Sequence, residues 1–206
     1  ASEPRVSVII PTYNCASFLP KAIESVLHQN YKDYEIIVVD DGSKDDTYEA
    51  LRPYRDRIRY TRFQNSQGIS AARNRGIEMA QGSFVAFLDA DNWFLPGKLA
   101  SQVTTLEANP HLGLVNSGFR RVNKQGDFLA DIEPWHQTPQ LDMEAWIVQK
   151  PIFLGAIMFE LKWLHWVGGF KTEFHSVEDI DLLFRLALMN CPSGWLQQVT
   201  VCQYLN

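Results

Sequence analysis

Short runs of aliphatic and β-branched residues alternate with stretches of helical periodicity through the first half of the chain. Val6-Ser7-Val8-Ile9-Ile10 and Glu35-Ile36-Ile37-Val38-Val39 are nearly continuous apolar runs, the pattern of strands buried on both faces of a parallel sheet. Between them Phe18, Leu19, Ala22, Ile23, Val26 and Leu27 recur at helical spacing. That spacing predicts a helix with Ser17 as its N-cap and Pro20 in the first turn, where a missing N–H does no harm. The alternation continues with a helix over 46–54, a strand over 58–63, a helix over 69–80 and a strand over 84–88. An order of β-α-β-α-β-α-β predicts an open α/β sheet with a mostly parallel core.

The second half is less regular. Residues 113–122 and 127–130 read as strands around a turn at Asn123-Lys124-Gln125-Gly126, and 131–140, with two prolines and no period, reads as a loop. The pattern further predicts a short helix over 141–148, a strand over 155–159, and a helix over 178–189 with Ile180, Leu183, Phe184 and Ala187 on one face. In open α/β sheets ligands bind beyond the carboxyl ends of the strands. Three such ends are polar: Pro11-Thr12-Tyr13-Asn14, Asp40-Asp41-Gly42-Ser43 and Asp89-Ala90-Asp91-Asn92.

Charge and cysteine usage narrow the partners. Nineteen basic against 24 acidic residues leave a net charge of −5, the wrong sign for a phosphodiester backbone, so nucleic acid is not an expected partner. Cys15, Cys191 and Cys202 are odd in number and show no C-x-x-C spacing. That argues against a disulfide framework and a structural zinc, and for a reducing, cytoplasmic setting. No run approaches the length of a membrane span and no leader pattern is present, so any association with a membrane face would be peripheral. The expectation is one domain over 1–206, and a first residue that is Ala rather than Met leaves room for further chain outside it.

The paired carboxylates carry the clearest chemistry. Asp89 and Asp91 are hard oxygen donors two residues apart, suited to Mg²⁺ or Mn²⁺ completed by water and substrate phosphates; the same spacing also occurs in solvated turns and caps. Asp40 and Asp41 form a second acidic pair, readable as a turn capped by Asp45 or Asp46 and equally as a ligand contact. Glu178, Asp179 and Asp181 either enrich a helix N-terminus with favourable charge or form a reactive acidic cluster. Of the six tryptophans, most are expected in the core, with Trp93 and Trp135 the best placed to meet a ligand. His175 reads as a loop residue or as a metal or phosphate partner.

Taken in order, these segments resemble the motif series of the family 2 glycosyltransferases. The matching stretches are Val8-Ile9-Ile10-Pro11-Thr12-Tyr13-Asn14, Val38-Val39-Asp40-Asp41-Gly42-Ser43 with Asp46-Thr47, and Asn65 and Gly68 with Ala72-Arg73-Asn74-Arg75-Gly76. Phe87-Leu88-Asp89-Ala90-Asp91, then Gly168-Gly169-Phe170 with Glu178-Asp179-Ile180-Asp181-Leu182 and Arg185, complete the series. Each motif is weak alone; five in order over about residues 5–190 are specific.

The resemblance implies a GT-A fold, with a Rossmann-like sheet and a small antiparallel acceptor-side region. Residues 1–110 would form the nucleotide-sugar-binding half and 111–206 the acceptor half. It implies an inverting transfer of a hexosyl or N-acetylhexosaminyl group from a UDP-sugar to a glycan or lipid-linked acceptor, assisted by Mn²⁺ or Mg²⁺. Pro11, Thr12, Tyr13, Asp41, Arg73, Asp89 and Ala90 would bind the donor nucleotide and Asp91 the metal. Glu178, Trp93 and Gly155 would lie on the acceptor side, with Asp179 as the base, its pKa raised by Glu178 and Asp181. Arg75 is either a further contact or an exposed helix residue. Asn92 departs from the family, which often has a further Asp there. The chain also lacks the Q-x-x-R-W-type segment of processive members. The rival readings are a non-catalytic nucleotide-sugar-binding domain and, more distantly, a nucleotidyltransferase, for which the expected Gly-rich basic loop is absent.

Overall fold

A computed structural model of the protein describes residues 2–139, Asp142 and 152–206. Its first half is a βαβ succession. The strands β1 (Val6–Thr12), β2 (Tyr34–Asp40), β3 (Arg59–Arg62) and β4 (Phe84–Phe87) are parallel, connected through helices α1 (Leu19–Leu27), α2 (Thr47–Ala50) and α3 (Ile69–Met79). β1 and the inner part of β2 are wholly buried, as their unbroken apolar runs require. α1 begins one residue beyond the expected N-cap: Phe18 and Leu19 donate their N–H groups to Cys15 O, and no side chain caps the helix. The expected helix over 46–54 is split into α2 and a 3-10 turn over Arg52–Arg57, with Pro53 at the start of the turn.

The rest of the chain extends the same sheet. It contributes β5 (Trp93–Phe94), β6 (Leu114–Val122), β7 (Phe128–Ile132), β8 (Met158–Glu160) and β9 (Ser193–Tyr204), with α4 (Lys98–Ala108), α5 (Leu161–Val167) and α6 (Glu178–Leu188). The spatial order is β3-β2-β1-β4-β8-β6-β9-β5, with β7 on β6. β8 is antiparallel to both β4 and β6, β7 to β6 and β5 to β9, while β6 and β9 run parallel. The expected mostly parallel sheet with a small antiparallel region in the second half is the observed one, although β6 and β9 there run parallel. Residues 155–159 differ from expectation: a 3-10 turn over Leu154–Ala156 precedes the short β8. The helix expected over 141–148, with Trp146, lies outside the described residues.

Three elements carry no clear sequence signal. α4 buries Lys98 and Gln102 beside Leu99, Val103 and Leu106, so polar residues interrupt its apolar stripe. β9 shifts register twice against β6, between Asn116 and Gly118 and between Gly118 and Arg120, which destroys a period of two. α5 is only seven residues long. The face of α6 also differs from expectation: Leu182, Leu183 and Leu186 are buried, whereas Phe184 is 47% exposed. Apolar residues surround so much of this helix that periodicity alone does not select the buried side.

Candidate functional site

Because the chain builds β1, β2 and β3 outward and then returns to lay β4 on the other side of β1, a crevice opens beyond the carboxyl ends of β1 and β4. Pro11 helps to open it. Thr12 O accepts from Asp41 N on the β2 side, so the adjacent Pro11 faces β4, whose pairing with β1 ends at Ile9 and Phe87. A residue without an N–H thus costs no ladder bond there.

Most of the Asp40–Ser43 segment builds its own loop. Asp40 Oδ1 accepts from Ser43 N, Oδ2 accepts from the Tyr60 hydroxyl, and Ser43 Oγ accepts from Asn14 N, tying the ends of β1 and β2 together. Gly42 has φ +77°, and a Cβ there would lie 3.1 Å from Ser66 N and 3.3 Å from Phe63 O, so only glycine fits. Asp45, rather than Asp46, holds the start of α2, accepting from Thr47 N. Asp41 is left to face the crevice. Its Oδ2 accepts from Ser66 Oγ and Gly68 N, and its Oδ1 from Gln67 N, which leaves one lone pair of the carboxylate unused. Pro11, Thr12, Tyr13, Asp41, Ser66, Gly68, Ile69 and Ala72 enclose a cavity of about 280 Å³. The sequence had pointed to the first four of these.

From α3, Arg73 projects under the crevice. It is 4% exposed; Nη2 donates to Asp89 Oδ1 at 3.2 Å, Nη1 lies 3.6 Å from Glu178 Oε1, and the guanidinium carbon sits 5.2 Å from the centre of the Phe170 ring. Asn74, the next residue, accepts from Phe170 N and donates to Phe170 O. Gly169 (φ +68°) must be glycine, since a Cβ would come within 2.5 Å of Asn74 Oδ1. The Ala72–Gly76 and Gly168–Phe170 motifs are thus two sides of one joint. Arg75 pairs with Glu78 on the exposed face of α3.

Asp179 sits in the first turn of α6. Its carboxyl is raised above the ordinary aspartate value, chiefly by burial and further by Glu178, while Ile180 N–H and the Arg73 charge act in the opposite direction. Asp181 does not take the part expected of it. Its carboxylate accepts from Arg185 Nε, and Arg185 also donates to Val167 O and Gly169 O, fastening α6 to the end of α5.

Asp89 and Asp91 flank a turn after β4, with Ala90 buried between them. The Asp91 carboxyl is pushed up by burial and then by Asp89. The nearby Cys15 thiol is raised by burial and then chiefly by Asp91. In both, burial is the larger cause and an acidic neighbour adds to it, a repulsion that a bound cation would offset. Among the described residues no group of three or more His, Cys, Asp or Glu side chains could hold a metal by itself. A pair of carboxylates fits Mg²⁺ or Mn²⁺ nonetheless, because these ions take one or two protein oxygens and fill the remainder with water and substrate phosphates. Asn92 turns away to the protein: its Oδ1 accepts from Tyr204 N at the end of β9.

Other expected residues make contacts within the protein. Trp93 is half-buried under the Lys21 ammonium, 3.6 Å from its ring centre, and paired with Cys202. Trp135 is 7% exposed against Trp195, a core residue rather than the ligand contact expected of it. Gly155 is buried, and its carbonyl accepts from Lys98 Nζ. A larger cavity of about 690 Å³ lies at the opposite, amino ends of β1 and β4, where Arg5 pairs with Glu107 and Lys162 with Glu160.

Unpaired polar groups mark the crevice independently. Among the described residues, seven buried side-chain atoms lack a hydrogen-bond partner, and five of them belong to Thr12, Ser70, Arg73 and Glu178. Native interiors leave few such groups. Their concentration around α3 is the signature of a surface prepared for a polar ligand, and Ser70 is one that the sequence did not single out.

The model of the family described as "Glycosyl transferase family 2" matches residues 7–157. An uncharacterized glycosyltransferase of Rickettsia bellii (strain RML369-C) is 34% identical over 89% of the chain, which spans 27% of that relative's length. The structure of S. aureus TarS 1–349 with UDP-GlcNAc superposes with a TM-score of 0.84 at 22% identity, over 98% of this chain and 59% of that one. The mannosyltransferase PcManGT from Pyrobaculum calidifontis, in complex with GDP-Man and Mn²⁺, gives a TM-score of 0.74 at 27% identity, over 98% and 57%. The fold is that of the GT-A glycosyltransferases. Among the described residues no helix is long and apolar enough to cross a membrane.

Proposed function

Because the chain belongs to glycosyl transferase family 2, we propose that it is the catalytic domain of an inverting, metal-assisted transferase. In this reading it moves a hexosyl or N-acetylhexosaminyl group from UDP to a hydroxyl of a glycan or lipid-linked acceptor. The observation that carries this reading is Arg73: one buried guanidinium reaches both Asp89, beside the metal carboxylate, and Glu178, beside the base. Leaving-group chemistry and proton abstraction are thereby held in one frame.

The uracil enters the cavity behind Tyr13, and its N3–H takes the unused lone pair of Asp41. Asp89 meets the ribose. A divalent ion held by Asp91, when bound, offsets the charge that develops on the β-phosphate. Asp179 takes the proton of the acceptor hydroxyl as its oxygen bonds to the anomeric carbon. The bond from that carbon to the diphosphate breaks on the opposite face, UDP departs, and the configuration inverts. A carboxyl raised by burial is a stronger base than an exposed one, which suits this role. The UDP complexes of TarS and the Mn²⁺ complex of PcManGT support the choice of donor and metal by likeness.

The test is Asp179→Asn. Calorimetry with UDP and, for comparison, GDP in the presence of Mn²⁺ should show nucleotide binding unchanged and favouring UDP, while turnover of a UDP-sugar falls by about 10²–10⁴. Full turnover in the variant refutes the base. Nucleotide binding with neither transfer nor donor hydrolysis in the parent chain establishes a binding domain in place of an enzyme.

A further inference from the structure

Lys98 is the first residue of α4, on the stretch of chain that follows the Asp89–Asn92 turn and β5. It points inward and is fully buried. Its Nζ donates to Gln102 Oε1 at 2.8 Å, to Gly155 O at 2.9 Å and to Thr200 Oγ1 at 3.3 Å, so each N–H of an ammonium group has its acceptor. None of these partners is charged. A cation buried among neutral groups is costly, and an apolar side chain of the same length would fill the space without that cost. What the lysine adds is three directed bonds into three separate segments: α4 itself, β9, and the turn at 154–156 that leads into β8.

Those segments enclose the acidic turn. β8 runs antiparallel to β4 with Met158 opposite Ala86, so the residues just before β8 lie alongside the chain as it leaves β4 towards Asp89. Phe153 and Ala156 accordingly pack in one buried cluster with Leu88, Ala90 and Phe94. From the other side β9 holds the far end of the turn, where Asn92 Oδ1 accepts from Tyr204 N and Thr200 O accepts from Leu95 N. Gln102 and Ser117 reinforce the joint, both donating to Ala156 O, and the Ser117 and Thr200 hydroxyls share a hydrogen bond of 2.7 Å. The base cavity behind Tyr13 uses none of these residues. We propose that Lys98 is a positioning residue: by bonding at once to Gly155 and Thr200 it clamps the turn that carries Asp89 and Asp91, and so sets these carboxylates for the metal and the nucleotide without touching either. This rests on the reading of Asp91 as the metal carboxylate.

Lys98→Met tests it, since it keeps the length of the side chain and removes both the donors and the charge; thermal unfolding confirms that the variant folds. Amide hydrogen exchange without any ligand compares residues 88–92 with residues 66–72 at the base cavity. Exchange over 88–92 is expected to rise about tenfold and to hold over 66–72. Calorimetry with UDP, with and without Mn²⁺, gives the second readout: the gain in affinity that Mn²⁺ brings is expected to fall about tenfold, with the metal-free affinity unchanged. A lysine that serves only general stability would loosen both segments alike and weaken UDP alike in both conditions. Either result refutes the clamp, as does exchange over 88–92 equal to the parent's. If Lys98→Met fails to fold, Thr200→Val keeps the lysine and deletes one acceptor; faster exchange confined to 88–92 then supports the clamp, and exchange equal to the parent's refutes it. A parent that binds UDP equally with and without Mn²⁺ overturns the metal reading of Asp91, while the clamp is decided by hydrogen exchange, which uses no ligand.

Discussion

At the scale of single residues, the site works by setting acids in unlike surroundings. Asp41 receives three hydrogen bonds, whereas Asp179 is buried beside Glu178 with its carboxyl raised. On the proposed assignment Asp179 acts as base when deprotonated, so the acidic limb of the transfer rate should lie above the ordinary aspartate value of 3.8. Removing the Glu178 charge in Glu178→Gln should move that limb down, measured as kcat/KM against pH; an upward move contradicts the assignment. Linkage gives a second sign. A carboxyl with a raised folded-state pKa favours the fold below its unfolded pKa, and that contribution is lost as pH rises through the folded value. Asp179→Asn, which carries no charge to bury, should therefore gain stability over the parent on going from pH 4 to neutrality, read from Tm at the two pH values. Asp41, Asp89, Asp91 and Asp179 are visible in the sequence because acids at strand ends and in ordered motifs are unusual. Ser70 is not, because a serine in a helix carries no mark until its hydroxyl is found buried and unpaired.

At the scale of elements, α4 shows how polar residues can build a core. Lys98 is fully buried, and its Nζ donates to Gln102 Oε1, Gly155 O and Thr200 Oγ1; Gln102 and Ser117 donate to Ala156 O. This network ties α4, β6 and β9 to the turn at 154–156. Burial drops the Lys98 pKa to about 7 from 10.5, and among the described residues no carboxylate pairs with it. The unfolded chain keeps this proton to a higher pH than the folded one. Stability should therefore rise between pH 7 and 10 in the parent relative to Lys98→Met, and be parallel in the two below pH 7. Parallel curves throughout, in denaturant melts, would contradict a buried lysine that loses its charge. The same residues explain why α4 escapes sequence reading, as its inward face alternates Lys98 and Gln102 with Leu99, Val103 and Leu106. By contrast β1 and β2 are legible, because strands covered on both faces need unbroken apolar runs.

At the scale of the whole molecule, the crevice draws on distant segments: β1, β2, the Ser66–Gly68 loop, Arg73, the turn after β4 and the start of α6. A ligand that spans them should stabilise the fold as one unit. UDP with Mn²⁺ at about 100 times its Kd adds about 2.7 kcal/mol, which raises Tm by roughly 5–10 °C for a chain of this size. Asp91→Ala should abolish the part of that shift which depends on metal, and a shift equal with and without Mn²⁺ in the parent removes Asp91 from the metal site. The acidic excess of the sequence fits this picture in part, since Asp89 adds to the burial that raises the Asp91 carboxyl, and a cation would offset that repulsion. The parallel core, the polar strand ends and the order of the motifs are legible along the chain, because these rest on local periodicity and on residue types adjacent in the chain. Folding alone brings Arg73 between Asp89 and Glu178, sets Asn92 at the end of β9, and places Ser70 and Glu178 in one recess. Each of these depends on groups brought together across long stretches of chain, whose burial and pairing no spacing rule records.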